Sequence, residues 1–270
     1  MLAEVLLGSG VGLALGLTGS GGVLAVPALM LGLGFTLPEA MPVSLIAIGL
    51  SSLLASIHGL KQGIVRYRAA LVMATMGILL APVGIALSHR LPTEVLTLIF
   101  SLLLLFVAVK MARQALSKSA GEDHERLGQN CMLRADTGRF AWNSRCFATL
   151  STIGGLSGLT SGLLGVGGGF LIVPGVRQFT NLGMHGIVAT SLAVITLIST
   201  GTVVNAVIAG AVITTQAWWF IGATAVGLLA GRWIAPKLSA RVLQISFASL
   251  ATVASLMMME KYLLPLVLAG

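Results

Sequence analysis

The stretch GSGGVLAVP, Gly19 to Pro27, has a near-copy in GVGGGFLIVP, Gly165 to Pro174, and both lie inside long apolar segments. A glycine in a helix interior is about 1 kcal/mol less favourable than alanine, so a glycine cluster placed there twice has a structural reason.

On either side of these clusters the chain divides into apolar segments bounded by charges and breakers. The first half gives segments a (2–17), b (22–35), c (40–57), d (69–87) and e (95–111). A polar stretch, 112–145, follows; it contains SKSAGEDHERLGQN, and RFAWNSRCF at its end is expected to form a short amphipathic turn. The second half repeats the order as a (147–164), b (168–178), c (186–208), d (217–234) and e (242–259). A helix needs about 20 residues to cross a bilayer, which c, d and e approach and b does not.

Aligned on itself, the chain matches Gly16, Gly19, Gly21 and Gly22 with Gly162, Gly165, Gly167 and Gly168 at an offset of 146. One inserted residue changes the offset to 147, which then pairs Pro27 with Pro174, Ser44 with Ser191, Ser52 with Ser199, His58 with Asn205 and Gly84 with Gly231. A constant offset through matched Gly, Pro and Ser identifies an internal duplication. The expected organisation is an N-terminal transmembrane repeat (1–111), a linker (112–145) and a C-terminal transmembrane repeat (146–270).

Of the 270 residues, 56% are hydrophobic and only 9% charged, and the mean hydropathy is +1.00. Soluble domains carry about 25% charged residues, so the solvent of this chain is largely lipid. The expected fold class is an all-α integral membrane protein of 8–10 helices, multi-pass in the cell inner (plasma) membrane. The net charge of +8 comes from residues scattered over short loops without interleaved aromatics, which argues against nucleic acid as a partner. Glu4 and the lack of a basic residue before segment a argue that this segment is retained rather than cleaved. Cys131 and Cys146 fit neither a zinc spacing nor a disulfide framework, and are expected as reduced thiols.

Charge sets the orientation of the repeats. In the first half the c–d loop is basic (Lys61, Arg66, Arg68); in the second half the basic loop is d–e (Arg232, Lys237, Arg241). Basic loops stay in the cytoplasm. Placing both inside also puts the linker, with seven basic residues from Lys110 to Arg145, and Arg177 inside, and leaves Arg90 and Lys261 outside. The repeats are then inverted, both termini are external, and a and b together make no net crossing. The short b segments, each opened by glycines, favour a re-entrant pair over two full spans.

Inverted repeats with broken helices are a transporter pattern. Where a helix begins, its first N–H groups lack partners and the dipole adds partial positive charge. Glycine lets an anion approach those groups closely. Gly19, Ser20, Gly21 and Gly22 in one half, and Gly165, Gly167, Gly168 and Gly169 in the other, are therefore candidate substrate-binding residues, with Pro27 and Pro174 marking the helix breaks. Small residues also let membrane helices pack closely, and a lone GxGG is read that way as readily. A dinucleotide fingerprint is excluded, since no strand precedes the glycines.

The matched hydroxyls Ser44, Ser52, Ser191 and Ser199 are further candidates, although any one can bond its own helix carbonyl. His58 and Asn205 fall near the ends of their c segments. Glu4, Glu39, Glu94 and Glu260 all lie near segment ends, so coupling through a buried carboxylate is not expected. Neither a metal site nor a cofactor is expected.

The residues GLTGSGGVLAVPAL, PEAMPVSL, HGLKQGIVRYR and GILLAPVGIAL, with GLLGVGGGFLIVP and VATSLAVI in the second half, resemble the TauE/SafE sulfite exporter family. The resemblance covers both repeats. It implies a secondary transporter that exports or exchanges small sulfur-containing anions: sulfite, sulfoacetate or related organosulfonates. The alternative is an uptake permease or channel for sulfate or thiosulfate. The bulky GRWIAP after Gly231, and Pro42 where the second repeat has Ala189, depart from strict symmetry. An intramembrane serine hydrolase using Ser20 and His58 is disfavoured, because Val166 stands at the position matching Ser20. The expected partners are thus the anion and the lipid bilayer, with a homodimer left open.

Overall fold

A backbone in lipid has no water to bond with, so apolar segments must satisfy their N–H and C=O groups internally, and they do so as helices. A computed structural model describes residues 2–18, 21–116, 131–132, 140–208, 214–234 and 240–268. The described elements are α1 (Leu2–Thr18), a 3-10 turn (Gly21–Leu24), α2 (Ala25–Pro27), a π turn (Ala28–Gly32), α3 (Leu37–Lys61), α4 (Tyr67–Ser88) and α5 (Thr93–Leu116). The second half supplies α6 (Ser144–Leu164), α7 (Gly169–Phe179), α8 (Met184–Ile208), α9 (Thr215–Ile234) and α10 (Ala240–Leu268). They follow segments a to e twice, with c, d and e extended by a few residues. Six of them, α3, α4, α5, α6, α8 and α9, are long and apolar enough to cross a membrane. The fold is all-α.

The halves interlock. α1 packs on α9, α4 on α6, α3 on α8 and α5 on α10, while α3 also meets α9 and α4 meets α8. Exchanging the halves maps this set onto itself: a pairs with d of the other half, c with c, and e with e. Glycines at four-residue spacing make the a–d contacts. Gly8, Gly12 and Gly16 lie against Phe220, Thr224 and Leu228, so α1 and α9 run in the same direction. Gly154, Gly158 and Gly162 lie against Met73, Gly77 and Ala81, so α6 and α4 do too. Each approach is close enough that a methyl group would meet backbone atoms, the small-residue packing that holds membrane helices together. α3 and α8 run oppositely, since Gly49 meets Ser199 and Gly59 meets Ala189. Between α5 and α10 the Ser255 hydroxyl donates to the Ser101 carbonyl at 2.8 Å.

Two expectations are corrected at the linker. Cys131 and Cys146 are not free thiols; they form a disulfide with Cα atoms 4.8 Å apart. The reason lies in tertiary docking. Cys131 pairs with Thr180 beyond α7, its N–H donating to the Phe179 carbonyl at 3.1 Å, and this sets it beside the first turn of α6. The amphipathic turn expected at RFAWNSRCF is also absent among the described residues. Ala141 instead donates to the Met132 carbonyl at 2.8 Å, and helix begins only at Ser144.

Candidate functional site

α6 ends because Gly165 takes the left-handed conformation (φ 70°, ψ 20°), its N–H donating to the Ser161 carbonyl at 2.9 Å. Gly167 and Gly168 also have positive φ, 67° and 68°, so three residues of this turn occupy backbone space that costs other residues about 1–2 kcal/mol. Hydroxyls from two helices hold its carbonyls. Ser157 Oγ of α6 donates to the Gly168 carbonyl at 2.7 Å, and Ser44 Oγ of α3 lies within hydrogen-bond distance of the Gly165 carbonyl. The Leu171 and Ile172 N–H groups also donate to the Gly168 carbonyl, at 3.0 and 3.3 Å, which leaves those of Gly169 and Phe170 to open α7 without an acceptor inside their own helix. α7 then runs through Pro174 without breaking, so the interruption belongs to the glycines before it.

In the first half α1 is described to Thr18 and the chain again from Gly21, and the candidates Gly19 and Ser20 fall outside the described residues. Gly21 and Gly22 open the 3-10 turn. Pro27 closes α2 and is followed by the π turn.

Both turns meet one side chain. A Cβ on Gly22 would lie 2.9 Å from Ile48 Cδ1, and one on Gly167 would lie 3.2 Å from Ile48 Cγ2 and 3.2 Å from Ser199 Oγ. Ile48 is at the middle of the 25-residue α3. Ser52, one turn further along α3, and Ser191 and Ser199 on α8 are fully buried, and their hydroxyls have no hydrogen-bond partner among the described residues. Ser51 on α3 and Ser161, which sequence reasoning missed, are in the same condition. Such groups cost about 1–3 kcal/mol each when left unmade, so their concentration around the turns marks a place built for polar contacts.

His58 and Asn205 do not join this cluster. His58 is exposed and its Nε2 sits 2.9 Å from Gln62 Nε2; ten residues of helix, about 15 Å, separate it from Ile48. Asn205 donates to the Gly201 carbonyl of its own helix at 2.8 Å. Toward the start of α3 a cavity of about 500 Å³ opens beside Phe35, Pro38, Glu39, Pro42 and Thr214. Its carboxylate is engaged: Glu39 Oε2 accepts from the Thr36 N–H at 2.9 Å and from the Thr36 hydroxyl at 2.7 Å.

A family described as "Sulfite exporter TauE/SafE" matches residues 5–258, through both glycine turns and all the helices that surround them. The chain belongs to the sulfite exporter TauE/SafE family. Two proteins of Xylella fastidiosa, from strains Temecula1 and 9a5c, are similar to this TauE/SafE chain. Both are described as "Probable membrane transporter protein", and each is 32% identical over 192 residues, covering 70% of this chain and 67% of its own length. As a TauE/SafE protein the chain is a multi-pass membrane transporter, not an enzyme.

Proposed function

We propose that this transporter exports or exchanges small sulfur-containing anions, namely sulfite, sulfoacetate or related organosulfonates, through a mid-membrane site made by its two glycine turns. The observation that carries the reading is the meeting of both turns on Ile48, halfway along α3, beside the unpartnered hydroxyls of Ser52 and Ser199. Helix starts with exposed N–H groups favour negative charge, and hydroxyls add neutral donors. An oxyanion with several acceptor oxygens suits that set, and a cation does not.

The repeats are inverted in this reading, which the opposed directions of α3 and α8 support. In this reading the loop after α3, the linker and the end of α9 share one face, to which the sequence order assigns 14 of the 16 basic residues. The excess of basic residues assigns that face to the cytoplasm and both termini to the outside.

Purified protein in liposomes loaded with labelled sulfite or sulfoacetate tests the site. Wild-type protein is expected to release the anion, and the double variant Gly22→Leu with Gly168→Leu to lose that flux while eluting as a monodisperse peak. Undiminished flux through the double variant rejects the site.

A further inference from the structure

Charged side chains within membrane helices are expensive and mark pathways more often than they serve packing. Arg232 lies in the last turn of α9 and is half-buried, whereas its neighbour Trp233 is 78% exposed and faces outward. An arginine that only anchored a helix end would extend to water as well. Arg232 turns inward instead, and its Nη1 donates to the Ala55 carbonyl of α3 at 2.7 Å. α3 is helical through Lys61, so that carbonyl already serves the helix, and the contact uses one of the five guanidinium donors.

Among the described residues, no carboxylate lies beside Arg232 to neutralise it. α1 and α3, which pack against α9, carry their carboxylates (Glu4 and Glu39) in their first turns, while Arg232 meets both helices near their last turns. A Cβ on Gly16 would lie 3.0 Å from the Arg232 backbone N, three residues before the GSGG stretch. The second half has the same arrangement with a different residue: a Cβ on Gly162 would lie 3.1 Å from the backbone N of Ile85. The last turn of α1 therefore lies against an arginine backbone and the last turn of α6 against an isoleucine backbone. From Ala55, the buried and unpartnered Ser52 is one turn inward along α3, about 4.5 Å, and Ile48 lies one further turn beyond.

We propose that Arg232 is an anion-binding residue at the entrance to the first glycine turn, holding the sulfite or sulfonate group on the face where α3 ends before it passes to Ser52 and Ile48. The proposal rests on the transport reading above and adds a direction to it. The opposite mouth, beside Glu39, has a carboxylate where this one has a guanidinium, so the two faces bind the same anion with different affinity.

The test is labelled sulfite flux in vesicles of known orientation, measured from each face, for wild type, Arg232→Gln, Arg232→Lys and Arg232→His. Losing a charge-assisted contact raises the half-saturating concentration on the α3-end face about tenfold to a hundredfold in Arg232→Gln. The other face and the maximal rate change little, and Arg232→Lys recovers most of the loss. Arg232→His supplies a comparison within one folded protein: relative to wild type at each pH, binding on that face is tight near pH 6 and weak near pH 8. A fall in maximal rate with unchanged half-saturation and no recovery by lysine makes Arg232 a brace between α9 and α3 and overturns the proposal. So does a histidine variant with no pH response of its own. Wild-type vesicles that move none of sulfite, sulfate, thiosulfate or sulfoacetate overturn the transport reading itself, a result distinct from both.

Discussion

Replacing Gly168 by alanine separates two costs that the structure assigns to that position. The first is conformational: at φ 68° an L-residue is disfavoured by about 1–2 kcal/mol. The second is spatial. A Cβ there would fall onto Ser157 Oγ and lie 2.6 Å from the Ser157 carbonyl O, where ordinary contact begins near 3.4 Å. The α6 and α7 backbones must part by roughly 0.8 Å, and overpacking of that kind costs about 1–3 kcal/mol. The displaced Ser157-to-Gly168 hydrogen bond adds about 1 kcal/mol. The total is about 3–6 kcal/mol. Two other glycines calibrate it. Gly34 has φ 72° with nothing within 4 Å of a built Cβ, so alanine there meets only the conformational cost. Gly222 has neither a positive φ nor a neighbour within 4 Å, and alanine there is neutral or slightly stabilising in its helix. Thermal unfolding in detergent should rank the variants Gly222→Ala at or above wild type, then Gly34→Ala, then Gly168→Ala. At about 2–4 °C per kcal/mol the last falls by on the order of 10 °C. If Gly168→Ala melts together with Gly34→Ala, the close approach of α6 to the turn is wrong.

Ile48→Ala removes a side chain that is 1% exposed and touches both turns; it is expected to lower stability by about 2–5 kcal/mol and to raise sulfoacetate flux relative to sulfite. Equal flux ratios in the two proteins would show that Ile48 does not size the passage. The Cys131–Cys146 disulfide closes a separation of 15 residues, so the double serine variant should lose about 3 kcal/mol, read as a lower melting temperature than the oxidised wild type. Disulfides persist in oxidising compartments, while the seven basic residues from Lys110 to Arg145 assign the linker to the cytoplasm. Maleimide labelling of intact cells decides between them: thiols that react only after reduction, and with an impermeant reagent, put the linker outside and reverse the charge assignment.

Much of the architecture was legible because lipid makes composition speak plainly. Lys61, Arg66 and Arg90 bracket segments that fold as α3 and α4, and the 146–147 offset shows the duplication, although which segment packs on which is not contained in it. The glycines at Gly8, Gly12 and Gly16, and again at Gly154, Gly158 and Gly162, carry a four-residue spacing from which the α1–α9 and α4–α6 contacts could have been read. GSGG and GVGGG lack that four-residue spacing: clustered glycines suit a turn, where spaced ones suit a packed helix face. The disulfide was not legible, since it depends on residues 131 and 180 meeting across a docked segment. Nor was the isolation of His58 from the turns, because a periodic apolar helix does not reveal which of its polar residues faces a neighbour.

The exchanged pairing of first and fourth segments has a consequence for how the protein is made. α1 is complete at residue 18, but the helix that receives its glycine face begins at residue 215. At about 5–20 residues per second, a ribosome takes some 10–40 s to bridge that interval. For that time Gly8, Gly12 and Gly16 present bare backbone to lipid or to whatever factor attends insertion. α4 is made before its partner α6 and waits far less. A late assembly step of this transporter is therefore the capture of its oldest helix by one of its youngest, with only α10 still to dock on α5. A chain that stalls before α9 leaves the membrane holding a helix with no place to dock.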